Sequence, residues 1–172
     1  DQILRTLAGI AEAGRPDFLK IVYHGPRLME EICQYDPNLI VGVLGGSAGT
    51  TYDAFRLLHD AKKYGARVAL FGRKINNAEH QLAFIEFLRL IAEDTIGPEE
   101  AVHAYHGVLQ GKGITPKLSL EQDLELTEQS MRYSDTGGIS SVAIRNNPLA
   151  SKTESPQLDA VWPTKPSGVP DF

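Results

Sequence analysis

The sequence predicts an α/β fold built on parallel strands, and three observations carry the prediction. Short apolar runs, "FLKIVY" at 18–23, "LIVGV" at 39–43 and "RVALF" at 67–71, alternate with longer amphipathic segments. Each run is almost continuously apolar, the pattern of a strand covered on both faces. The joins are short, and the strands start at residues 18, 39 and 67, a normal pitch for βαβ units.

The elements follow in order. Ile3, Leu4, Leu7, Ile10 and Ala11 share one face of a leading helix that ends near Gly14. The first strand, 18–23, opens through Gly25-Pro26 into a helix over 26–35, with Pro26 at a tolerated first-turn position. Asp36-Pro37 stops that helix before the second strand. A glycine loop, Gly45-Gly46-Ser47-Ala48-Gly49, then leads to a helix capped by Thr51, with Ala54, Leu57, Leu58 and Ala61 inward and Gly65 as terminator. The third strand precedes "GRKINN" and a helix over 78–93 whose inward stripe is Leu82, Ile85, Leu88 and Ile91. Pro98-Glu99-Glu100 starts another helix, packed through Ala101, Val102, Tyr105, Val108 and Leu109. Ser119 and Gln122 match a capping box ahead of Leu124, Leu126 and Met131. Beyond Tyr133 the periodicity ends; 134–172 holds five prolines and reads as a mobile tail, lying over the domain at Val161-Trp162.

Composition narrows the function classes. A net charge of −5 argues against a general nucleic-acid or acidic-membrane binder. No apolar run approaches the roughly 18 residues a membrane span needs. The single cysteine, Cys33, provides no disulfide framework and suits a reducing cytoplasm; it falls on the apolar side of a helix as a small core residue.

Lys20 is the most unusual residue of the strands. It shares a face with Phe18, Val22 and His24, opposite Leu19, Ile21 and Tyr23. A lysine in a buried strand must pair or lose its proton, and a neutral amine attacks carbonyls. Taken alone, an edge-strand lysine reaching water explains it better. The glycine loop shifts the balance. Gly45, Gly46 and Ser47 lie between a strand and a helix, where backbone N–H groups cradle a phosphate, although neither a Walker loop nor GxGxxG is matched. One unit later Gly72, Arg73 and Lys74 repeat the arrangement with cations, and two adjacent turns make a better cradle than one. His24 either touches substrate or lines the loop before Pro26, and the loop reading is favoured. His59 and His80 read as helix-surface residues, Asp53 and Asp60 as helix-start and solvent-face charges. Nothing near His103 and His106 completes a metal site.

Three linked motifs, "DFLKIVYHG", "VGVLGGSAGTTYDAF" and "GARVALFGRKINNAE", resemble the last three βα units of a class I aldolase. The nearest group is the archaeal-type fructose-bisphosphate aldolases, within the deoxyribose-phosphate and tagatose-bisphosphate aldolase superfamily. The resemblance covers about residues 1–95. It implies a (β/α)8 TIM barrel of which the three runs are strands 6, 7 and 8. It also implies that Lys20 forms the Schiff base and that Gly45, Gly46, Ser47, Gly72 and Arg73 bind the substrate phosphate. The reaction is then cleavage or formation of a C–C bond in a phosphorylated sugar or related carbonyl compound, as in glycolysis, with no metal or organic cofactor. The family takes an acid from an early strand and a tyrosine from a middle strand, and this chain has neither strand. His24 stands where a small hydroxyl residue is expected.

The organisation expected is therefore 1–95 as a partial barrel, 96–133 as a helical extension and 134–172 as a loosely packed tail. Three parallel strands leave both sheet edges bare, which points to a longer barrel or to pairing with another copy of the chain, the longer barrel being favoured. A homo-oligomer with neither nucleic-acid nor membrane partners is expected. The alternative reading is a non-catalytic half-barrel that binds phosphometabolites, an assembly or regulatory module.

Overall fold

The chain forms a short parallel sheet with helices packed on it. The structure, a computed structural model, describes residues 2–46 and 49–132. Ser47 and the segment 134–172, Val161-Trp162 included, lie outside the described residues.

Helix α1 spans Gln2–Ala8 and a 3-10 turn Glu12–Gly14; the leading helix breaks at Gly9 instead of running on to Gly14. Strand β1 is Phe18–Ile21, followed by α2 at Pro26–Tyr35, which begins on its proline as its first turn requires. Strand β2 is Ile40–Leu44, and α3 is Thr51–Lys63. Strand β3 is Val68–Leu70, α4 the single turn Arg73–Asn76, α5 Gln81–Ala92 and α6 Pro98–Gly111. Two short helices, α7 at Leu120–Asp123 and α8 at Gln129–Arg132, complete the described chain. The strands are all parallel in the order β1-β2-β3, with Lys20 level with Gly42 and Gly42 level with Val68.

Period-2 alternation divides the sheet sharply. Ile21, Tyr23, Val41 and Val43 point to one side and pack with Leu7, Met29, Ile32, Leu57 and Ala61 of α1, α2 and α3. On the other side Phe18 is 42% and Val22 48% exposed, and Lys20 is exposed between them. The reading of "FLKIVY" as a strand buried on both faces is therefore corrected. No described element covers its Lys20 face, so an apolar run that looks doubly buried is buried once.

A second core joins α3, α5 and α6. Phe55 and Phe84 meet as a tilted pair, 34° between planes and 5.1 Å between centroids, and Tyr105 meets Phe84 edge-on at 5.7 Å. Such aromatic pairs add roughly 0.5–1.5 kcal/mol beyond area burial. The inward stripe of α5 is Phe84, Phe87, Leu88 and Ile91, a full 3.6-residue period. Leu82 and Ile85 of the expected stripe are 75% and 44% exposed, because their three-residue spacing drifts off the buried face. Met131 returns to the sheet core, carrying the C-terminal segment back across the molecule.

Several polar readings change too. The α3 cap is Thr50, not Thr51: its hydroxyl accepts from Asp53 N–H, and the Asp53 carboxylate accepts from Thr50 N–H. Asp53 is the helix-start charge expected, and it is buried; Asp60 is buried instead of facing solvent, accepting from Arg56 Nε at 2.9 Å and lying 3.0 Å from His59 Nδ1. His80 is the α5 cap, its Nδ1 accepting from Ala83 N–H at 3.0 Å. Cys33 packs against the sheet core, and burial pushes its thiol up. Among the described residues no helix is long and apolar enough to cross a membrane.

Candidate functional site

Parallel strands deliver their C-terminal ends, and the loops that follow, to one edge of the sheet. Here that edge is hollowed into a cleft of about 400 Å³. Lys20 of β1, Gly45 and Gly46 after β2, and Gly72 and Arg73 after β3 all line it. Five of the seven residues singled out from sequence thus share one wall, although they come from three separate units. His24 is exposed and lies off this lining. Ser47 lies outside the described residues.

The turn after β2 has a local logic. Gly45 N–H donates to Leu70 O at 3.0 Å, drawing the loop onto the end of β3. A side chain at Gly45 would run into the Phe71 ring, so only glycine permits that approach. Gly46 has φ +61°, the left-handed region that glycine tolerates without strain.

Lys74 ties the two loops together. Its Nζ donates to Gly49 O at 2.5 Å, across from α4 to the start of α3. Burial pushes its pKa down, against the opposing pull of Asp123, Asp53 and Glu79. The sequence treats Arg73 and Lys74 as a pair, but the structure separates their roles: Arg73 is in the cleft wall, while Lys74 braces the loops from outside it.

Behind the loops lies a polar clasp that the sequence did not reveal. Asp53 Oδ2 accepts from Thr50 N–H at 2.7 Å and from the Thr127 hydroxyl at 2.5 Å. Its Oδ1 accepts from the backbone N–H groups of Thr127 at 2.9 Å and Glu128 at 3.0 Å. Burial works to raise the Asp53 carboxyl, but these bonds together outweigh it and hold the group below the ordinary carboxylate value. Thr50 Oγ1 donates to Glu125 O at 2.8 Å. Asp123 Oδ1 accepts from Thr51 N–H at 2.6 Å, and its Oδ2 lies 2.9 Å from His106 Nε2. In the N-terminal turn of α3, Asp53 N–H is thus satisfied by its own cap Thr50 and Thr51 N–H by Asp123, while Thr127 and Glu128 donate to the Asp53 carboxylate. Its capping half was readable as Thr50-x-x-Asp53; the distant half had no sequence signal.

The clasp sets Glu128 into the wall of the cleft, where it joins Lys20 and Arg73. Among the described residues no group of three or more His, Cys, Asp or Glu side chains could hold a metal ion.

Fold and site together define a parallel α/β protein with a charged cleft at the carboxyl ends of its strands, the side on which open α/β sheets bind ligands. No family model matches the chain, and neither a curated protein nor a solved structure matches it.

Proposed function

We propose that the protein is a Schiff-base lyase of the class I aldolase kind, acting on a phosphorylated sugar or a related carbonyl compound. The observation that carries the reading is the shared lining of one cleft by Lys20, Gly45, Gly46, Gly72 and Arg73. Lys20 Nζ attacks the substrate carbonyl, and water is lost to give an iminium. The iminium then accepts the electron pair of the adjacent C–C bond as that bond breaks. The N–H groups of the glycine turns and the Arg73 guanidinium take the phosphate, which fixes the reacting carbons relative to Lys20. In this reading β1, β2 and β3 are strands 6 to 8 of a (β/α)8 barrel, and the exposed Phe18, Lys20 and Val22 face its interior. Apolar residues left open on that face support the assignment.

The test is borohydride reduction in the presence of candidate sugar phosphates, followed by peptide mass mapping. A reduced adduct on Lys20 is expected. Its absence with every sugar phosphate tried overturns the reading.

One observation favours a second reading, a module that binds phosphometabolites without turning them over. Lys20 is exposed on the open sheet face, so a ligand held there is not closed off from water as a covalent intermediate would be. In that case Lys20→Ala leaves phosphate-ligand binding intact and there is no turnover to lose.

A further inference from the structure

One peptide of the glycine loop is held at both of its polar ends by side chains of opposite charge. The carbonyl of Gly49 accepts from Lys74 Nζ at 2.5 Å. The N–H of Thr50, the other pole of the same peptide unit, donates to Asp53 Oδ2 at 2.7 Å. A planar trans peptide points its C=O and N–H in opposite directions, so the ammonium and the carboxylate hold it from opposite sides. Gly49 has φ +86°, a conformation that favours glycine, and a Cβ there would run into the Asp53 carboxylate. Glycine leaves that peptide free to rotate, and the two charges fix which way it faces. Turned over, it would set its carbonyl against the carboxylate and its N–H against the ammonium, both repulsive.

Each charge is itself placed by another part of the cleft. Lys74 lies in the single turn of α4, next to Arg73 of the cleft wall, and is not among the residues that line the cleft. Asp123 and Glu79 also face Lys74, but their oxygens are engaged by Thr51, His106, Tyr105 and Lys117. Asp53 is fixed by the N–H groups of Thr127 and Glu128.

We propose that Lys74 is a positioning residue of the phosphate site: with Asp53 it latches the Gly49–Thr50 peptide in the one orientation in which the glycine loop takes phosphate. The proposal rests on the phosphate-binding part of the reading above, and it holds whether or not Lys20 goes on to form a Schiff base. A loop that populates its binding orientation one time in ten binds about tenfold more weakly.

The experiment titrates inorganic phosphate calorimetrically into the wild type, Lys74→Met, Lys74→Arg and Asp53→Asn, at a temperature where thermal scans show each to be folded. Deuterium exchange of the Thr50 amide is followed in the wild type and in Lys74→Met. Lys74→Met should bind about tenfold or more weakly, and Lys74→Arg, which keeps a charged donor, more tightly than Lys74→Met. In Lys74→Met the Thr50 amide should exchange faster, although its own acceptor is untouched. Asp53→Asn removes a negative charge from the cleft lining, so electrostatics alone would tighten phosphate binding; the latch weakens it. Wild-type affinity in Lys74→Met, equal loss in Lys74→Arg, or tighter binding in Asp53→Asn overturns the latch. Weaker binding with unchanged Thr50 exchange makes Lys74 a direct phosphate ligand and also overturns it. No phosphate binding by the wild type overturns the phosphate reading, and the latch with it.

Discussion

The Asp53 carboxylate on the first turn of α3 accepts the backbone N–H of Thr127 at 2.9 Å, across 74 positions of sequence. It ties the end of the described chain to the glycine loop that opens the cleft. The bond is charge-assisted and half-buried: Asp53 is only 5% exposed, while Thr127 is exposed.

Removing that charge should loosen the whole mouth of the site. Asp53→Asn leaves the buried N–H of Thr50 and the half-buried N–H groups of Thr127 and Glu128 facing an amide that cannot accept them all, at a cost on the order of 1–3 kcal/mol. Urea unfolding should show a lower midpoint with an unchanged slope.

The same carboxylate predicts an acid limb. Its folded pKa lies below the ordinary 3.8, so the unfolded chain binds its proton first as pH falls. Stability from this group is fully present above about pH 4 and is lost as pH drops through the folded value. Unfolding free energy measured from pH 5 downward should fall more steeply in the wild type than in Asp53→Asn.

Arg73 and Lys74 are neighbours with different duties, and the two should separate in binding experiments. Arg73→Ala removes a cation from the cleft wall and should weaken binding of inorganic phosphate without changing the melting temperature. Lys74→Met should lower the melting temperature as well, since Gly49 O loses its donor and the two loops lose their brace. Calorimetric titration and thermal scans of both variants check this.

Helix α5 offers a direct comparison of readings. Phe84→Ala opens the aromatic cluster with Phe55 and Tyr105 and should cost about 3–5 kcal/mol. Leu82→Ser alters a residue 75% exposed and should stay within about 0.5 kcal/mol of the wild type. Had the stripe 82, 85, 88, 91 faced inward, the second change would be costly.

That helix also shows how far local pattern reaches. Strand positions, the Pro26 and Pro98 helix starts, the Ser119 capping box and the run of strand and helix were legible, because each depends on residues within a turn or two. The gathering of Lys20 with the two glycine turns was legible as well, since parallel strands carry their carboxyl ends to one side whatever packs around them. Which residues of α5 point inward was not, for two candidate stripes overlap and only the aromatic ledge of Phe55 and Tyr105 selects between them.

By itself, then, the sequence determined a parallel α/β chain and the five cleft-lining residues its strands bring together. Tertiary structure decided that the Lys20 face lies open, that the helix-start charge Asp53 is buried and clasps residues 127 and 128, and that Glu128 lines the cleft. The physical reason is range. Periodicity and caps are local and written in neighbouring letters. A buried carboxylate depends on donors that arrive from 75 residues away, and only packing brings them into reach.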